Sequence, residues 1–163
     1  MATTAQALAS IRRRRDPWER LDGAQTLLDT AAAENAEARN TRDLMACTLH
    51  RRGHKAVTIY RNVLGGSRNM WYTARAKAAR FDYTLTDGMT DDEVRAAGAG
   101  AAEVARVTTD DVPLLNEVRA VRDAAITELI QSGAPNHEIA KRTKLTTARI
   151  AQMAVPVRAA AGQ

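Results

Sequence analysis

The chain has 163 residues, 45% of them hydrophobic but only 6 aromatic against 33 alanines, which supports one or two small cores packed from helices and excludes aromatic-rich sandwiches or barrels. The single cysteine, Cys47, excludes an intramolecular disulfide and a thiolate metal cage, and no stretch is long and apolar enough to span a bilayer. The net charge of +5 is uneven: 15 basic against 8 acidic residues over 1–82, 2 against 7 over 83–116, and 7 against 4 over 117–163.

In chain order, Pro17 to about Ala38 predicts a helix with Trp18, Leu21, Leu28, Ala31 and Ala32 on one side. A second helix is expected from about Thr41 to Arg52, stopped by Gly53, and a third from Lys55 to Leu64, broken by Gly65-Gly66. Ser67 caps a fourth that ends near Phe81. The acidic segment 83–93, with Asp87-Gly88, reads as a linker. Thr90 and Glu93 form a capping box for a helix to Val107, against which Gly98 and Gly100 argue. Leu114, Val118, Val121, Ala125, Ile126 and Leu129 then recur at helical spacing, with Asp110 or Asp111 ahead of Pro113 as cap and Gly133-Ala134-Pro135 as stop. Asn136 is positioned to cap a short helix through Ile139 and Lys141, and Thr146 to cap another through Arg149, Ile150 and Met153.

Sliding the chain over itself by 80 residues aligns Glu37, Arg39, Arg42, Asp43, Leu49, Gly53 and Ile59 with Glu117, Arg119, Arg122, Asp123, Leu129, Gly133 and Ile139 without a gap. A duplicated helical unit is the reading. The expected architecture is all-α: 1–82 as a helical arm plus a first module, 83–110 as an acidic linker and helix, and 111–163 as a second module.

The stretch Gly133-Ala134-Pro135-Asn136-His137-Glu138-Ile139-Ala140-Lys141-Arg142-Thr143-Lys144-Leu145-Thr146-Thr147-Ala148-Arg149-Ile150 resembles the helix-turn-helix superfamily of DNA-binding domains. It is most similar to the short tri-helical units of sigma-factor region 4 and resolvase tails. Ala140 is small where the following helix crosses, and Ile139, Leu145 and Ile150 form the core between the helices. The resemblance implies DNA binding, with Thr146, Thr147, Arg149 and Gln152 on a recognition helix and Lys141, Arg142 and Lys144 on phosphates. Thr143 stands where the family has a buried leucine and Lys144 where it has a turn glycine, which predicts a looser turn. In the first copy Leu49, Gly53, Ile59 and Met70 keep the spacings of Leu129, Gly133, Ile139 and Ile150, with a turn shifted by one residue. Two such modules, with long supporting helices, are therefore expected in tandem.

Between Asp43 and Asp82 there is no acidic residue, while Arg51, Arg52, His54, Lys55 and Arg61 lead into Ser67, Arg68, Asn69, Tyr72 and Arg75. Clustered cations suit a polyanion, since each one placed on a phosphate releases a counterion. Arginine suits guanine, asparagine adenine, and serine or tyrosine phosphate. Trp71 is expected in the core with Met70 and Ile59, and Cys47 in buried packing. Arg12 to Arg15 fit equally a minor-groove arm and a solvated helix end. His50, His54 and His137 lack partners at metal-ligand spacing, so neither metal nor cofactor is expected. Asp91, Asp92, Glu93, Asp110 and Asp111 sit at helix starts, which favours capping over a nuclease centre.

Together these features predict a non-enzymatic, sequence-specific double-stranded DNA-binding protein, a transcriptional regulator and most simply a repressor, on a bipartite site of about one helical turn. A cytoplasmic, nucleoid-associated location follows, with no membrane partner and a homodimer open through the long helices. The alternatives are a plasmid or phage segregation or packaging factor, such as a centromere binder or small terminase subunit, and a module contacting the transcription machinery. Twenty arginines against 4 lysines, with abundant alanine, point to a high-GC genome such as an actinobacterium, its phage or plasmid.

Overall fold

Among the described residues, caps and left-handed residues punctuate the chain into eight α-helices and no strand occurs, so the fold is all-α. The structure, a computed structural model, describes residues 3–110 and 112–161, with side chains over 3–106 and 113–155. The helices are α1 (Thr4–Arg12), α2 (Pro17–Arg51), α3 (Ala56–Asn62), α4 (Arg68–Ala76), α5 (Asp91–Asp110), α6 (Val112–Gln131), α7 (Asn136–Thr143) and α8 (Thr147–Ala161). Short 3₁₀ turns at Ala78–Arg80 and Tyr83–Thr86 join α4 to α5. The expected Asp110 or Asp111 cap falls outside the described side chains.

Two elements differ from expectation. The helices expected at 17–38 and 41–52 are one helix, α2, because Arg39-Asn40 between them offers neither glycine nor proline to end the hydrogen-bond ladder. Residues 4–12 form α1, set by a capping box in which Thr3 and Gln6 exchange backbone and side-chain hydrogen bonds of 2.9 and 3.3 Å. That Thr-x-x-Gln signal is legible in the sequence.

Contacts divide the chain into Ala32–Asp110 and, separately, Met1–Ala31 with Asp111–Gln163. The divisions fall at 31/32 and 110/111, and none falls at 82/83. In the first of these units, Leu44, Met45 and Leu49 of α2 pack with Ile59, Val63, Leu64, Trp71 and Val94. Residues 83–110 thus belong to this core and are not a linker: Thr86 is buried against Thr48, and Val94 is fully covered. In the other unit, Leu21 of α2 joins Ala125, Ile126 and Leu129 of α6 with Ile139 and Ile150, while Leu8 and Ala24 pack on Val118. The N-terminal residues therefore complete the core around α6, α7 and α8.

The 80-residue correspondence extends to geometry. Gly53 and Gly133 both end a long helix with positive φ, +97° and +83°, where a β-carbon is unfavourable. In the first copy the Gly53 and His54 amides donate to His50 and Leu49 carbonyls; in the second, the Gly133 and Ala134 amides donate to Ile130 and Leu129 carbonyls. These paired bonds form the same helix-ending motif twice. Residues 51–63 and 131–143 also share one order of buried, half-buried and exposed positions. The copies part afterwards: Gly65 and Gly66 precede cap Ser67, whereas Lys144 and Leu145 precede cap Thr146. This one-residue difference puts Trp71, not Met70, four residues past the cap in the place of Ile150.

The Arg42-Asp43 and Arg122-Asp123 pairs illustrate how burial changes one motif. The Arg42 guanidinium donates to Asp43 Oδ1 at 2.6 and 3.0 Å, and Lys77 Nζ donates to Oδ2 at 2.9 Å, with Asp43 fully buried. Arg122 makes the same local bond to an Asp123 whose side chain is 44% exposed. Asp43→Ala strands a buried guanidinium and is expected to cost about 3 kcal/mol in urea unfolding. Asp123→Ala, at the solvated pair, is expected to cost under about 1 kcal/mol. Equal losses would contradict the burial argument.

Gly98, which argues against α5 on propensity, makes its packing feasible. A β-carbon there would lie 2.6 Å from Val63 Cγ1 and 3.0 Å from Met45 Cβ, whereas one on Gly100 would meet open space. Gly98→Ala is expected to destabilise by about 1–3 kcal/mol through overpacking. Gly100→Ala should stabilise by about 0.5–1 kcal/mol through helix propensity. Chemical denaturation of the two variants distinguishes these signs.

Candidate nucleic-acid interface

α4 is capped by Ser67, whose Oγ accepts from the Met70 amide at 3.3 Å. Trp71 and Ala74 are buried, so helical spacing leaves Arg68, Asn69, Tyr72 and Arg75 exposed. The Arg68 guanidinium lies 5.6 Å from the Tyr72 ring centroid, and Nε donates to Tyr72 Oη at 3.1 Å. These two side chains brace one another across one helical turn. Trp71 packs edge-on to His50, 4.9 Å between centroids, consistent with its expected core role.

In the other unit the turn between α7 and α8 is tied rather than loose. Thr143, buried where an apolar residue was expected, donates its hydroxyl to Ile139 O at 2.9 Å and accepts from the Leu145 amide at 3.3 Å. Lys144 adopts φ +57°, the one non-glycine left-handed residue among those described, at the position where a glycine was expected. Thr146 caps α8 as expected, its Oγ1 accepting from the Arg149 amide at 3.1 Å. Thr147, Arg149 and Gln152 are exposed, opposite buried Ile150 and Ala154. The cap residue of α7 is Pro135, without a side-chain hydrogen bond, and not Asn136, which begins the helix itself.

Several other candidate residues are engaged within the protein. Arg52 donates to Thr86 and Met89 carbonyls and to Asp91 Oδ1, at 2.9–3.1 Å, while His54 Nε2 donates to Asp91 Oδ2. Arg142 bonds Asp22 at 2.7 Å and lies over the Trp18 ring, and Lys144 bonds Asp29 at 2.8 Å. Arg51 stacks on Tyr83 at 4.0 Å, and Arg61 lines a cavity. Lys55 and Lys141 are exposed. The residues thus fall into three groups: the faces of α4 and α8; Arg52, His54, Arg142 and Lys144, which hold the fold's own carboxylates; and Arg51, Lys55, Arg61 and Lys141, which pair with no acid among the described residues. Sequence spacing places cations but not their distant acidic partners.

Arg12 lies in the last turn of α1 and pairs with Glu117 at 2.8 Å, Arg13 caps that helix, and Arg14 donates to the Glu19 carbonyl. The solvated helix end is the geometry observed. Glu93 completes the Thr90 capping box and Asp92 pairs with Arg95. Among the described residues no three potential ligands cluster to hold a metal. Cys47 is 3% exposed, and burial followed by the Asp43 charge pushes its thiol up to about 11, a poor nucleophile. No described helix is long and apolar enough to cross a membrane. No family model, curated protein or solved structure matches the chain.

The hydrogen bond from His54, then that from Arg52, holds the Asp91 carboxyl below its ordinary value of 3.8. A depressed folded pKa contributes stability that is complete above the unfolded value and lost as pH falls through the folded one. Asp91→Asn should therefore lower stability near neutrality and flatten its decline below about pH 4, as followed by circular dichroism during urea unfolding at each pH. An acid limb as steep as in the parent protein would remove Asp91 from this account.

Proposed function

We propose that this chain is a sequence-specific double-stranded DNA-binding protein, acting as a transcriptional repressor, in which α4 and α8 are recognition helices of two helix-turn-helix modules. The observation that carries the reading is the exposed face Arg68, Asn69, Tyr72 and Arg75. It sits on a capped helix anchored by Trp71 and Ala74, in a stretch from 44 to 81 without an acidic residue. On this reading Arg68 or Arg75 donates in pairs to guanine O6 and N7, and Asn69 bonds the N6/N7 edge of adenine. Tyr72 and Lys55 hold phosphates and set the helix's register in the groove.

α8 brings Thr147, Arg149 and Gln152, and its small Ala148 and Ala151 let the helix approach thymine methyl groups closely. Arg142 and Lys144 contribute by exchanging Asp22 and Asp29 for phosphate, an exchange that exposed ion pairs permit at little cost. Two modules in one chain raise each other's effective concentration, so weak half-sites combine into useful affinity.

Selection of bound fragments from random duplex DNA, followed by titration across a salt series, tests this. A two-part motif with fixed spacing is expected. Arg68→Ala and Arg149→Ala should each lower affinity for it about tenfold or more and relax one base position. Lys55→Ala should weaken all sequences alike and reduce the salt slope by about 1. Binding without a motif, with assembly into rings or arrays by light scattering, would replace this function with packaging or segregation. Absence of duplex binding would replace it with a protein partner.

A further inference from the structure

A cavity of about 660 Å³ lies within Ala32–Asp110, lined from α2, the end of α3, α4 and α5. Its volume falls within the range of small-molecule sites. Leu64, Met70 and Ala102 give it an apolar lining, while Arg39, Arg42, Arg61, Lys77 and Arg106 bring five cations to it. Their balance is positive. Arg42 and Lys77 share a single carboxylate, that of buried Asp43, and the lining acid Glu103 is already bonded by Arg106. Arg39 and Arg61 have no acidic partner within ion-pair distance among the described residues.

Fixed cations beside apolar surface favour one kind of occupant. A charge brought there meets Arg42 and Lys77, which are partly withdrawn from water, and the exposed, unpaired Arg39 and Arg61, and an apolar body gains from covering the lining. Inorganic anions satisfy only the first term and neutral hydrocarbons only the second. We propose that this cavity binds a small organic anion, a carboxylate or sulfonate carried on a ring or short chain. Met70 and Lys77 line the cavity from one side of α4, while Arg68 and Tyr72 occupy the other by helical spacing. The site is therefore separate from the proposed DNA face, and its occupancy does not depend on that function.

The test uses the full chain and 1-anilinonaphthalene-8-sulfonate, whose emission rises on burial, with uncharged N-phenyl-1-naphthylamine and potassium sulfate as comparisons. One saturable site per chain is expected, with the sulfonate dye bound at least tenfold more tightly than the neutral dye and sulfate alone a poor competitor. The double variant Arg39→Ser, Arg61→Ser should weaken the sulfonate dye at least tenfold and leave the neutral dye unchanged. Ala102→Trp, which fills the cavity, should abolish both, and Arg68→Ala should alter neither. Both arginines are exposed, so the double variant keeps the fold and decides the matter if Ala102→Trp does not fold. Equal affinity for the two dyes, unchanged sulfonate binding in the double variant, or no saturable binding would each overturn the assignment.

Discussion

The left-handed glycine that ends a long helix, Gly53 in one unit and Gly133 in the other, sets the geometry on which both candidate faces depend. Its amide and the next one turn back onto the last helical carbonyls, so the chain leaves the helix in one fixed direction and starts a new helix three residues later. Ile59 and Ile139 are carried back onto Leu49 and Leu129, and each is 2% exposed or less. Each such side chain contributes about 1.5–3 kcal/mol by leaving water. With that contact made, the caps at Ser67 and Thr146 start helices whose inner faces are occupied and whose outer faces stay free.

These units are small, and their packing works through small residues and through charge as much as through apolar bulk. Gly98 lets α5 reach Val63 and Met45, and the Asp43 carboxylate gathers Arg42 and Lys77 from different elements. A carboxylate buried with two cations is tolerable because its oxygens are all but saturated with donors. The same two cations then stand beside the cavity with a surplus of positive charge. Structural and ligand-facing electrostatics are thus shared by one group of side chains.

α4 faces three surroundings at once. Trp71 and Ala74 meet the core, Met70 and Lys77 the cavity, and Arg68, Asn69 and Tyr72 the solvent. A ligand in the cavity would touch the back of the helix whose front is the proposed DNA face, so a shift of that helix would be felt on both sides. Its short length and its entry through Gly65 and Gly66 make its placement depend on side-chain packing more than on its own backbone bonds.

Local signals determined much of this protein from sequence alone. Alanine-rich periodicity set the all-α class; Gly53, Gly133, Ser67, Thr146 and the Thr90–Glu93 box set the helix ends, because caps and left-handed turns act through bonds spanning a few residues. The outward faces of α4 and α8 followed from the same spacing. Tertiary structure alone decided what depends on residues distant in sequence: that residues 83–110 join the first core, that Leu8 and Leu21 complete the second, and that Arg52, Arg142 and Lys144 meet acids 39, 120 and 115 positions away. The cavity belongs to this class too, since no single helix carries more than part of its charge. Periodicity records which side of a helix is apolar, but a charge's partner is chosen by distance in space, which the order of residues does not state.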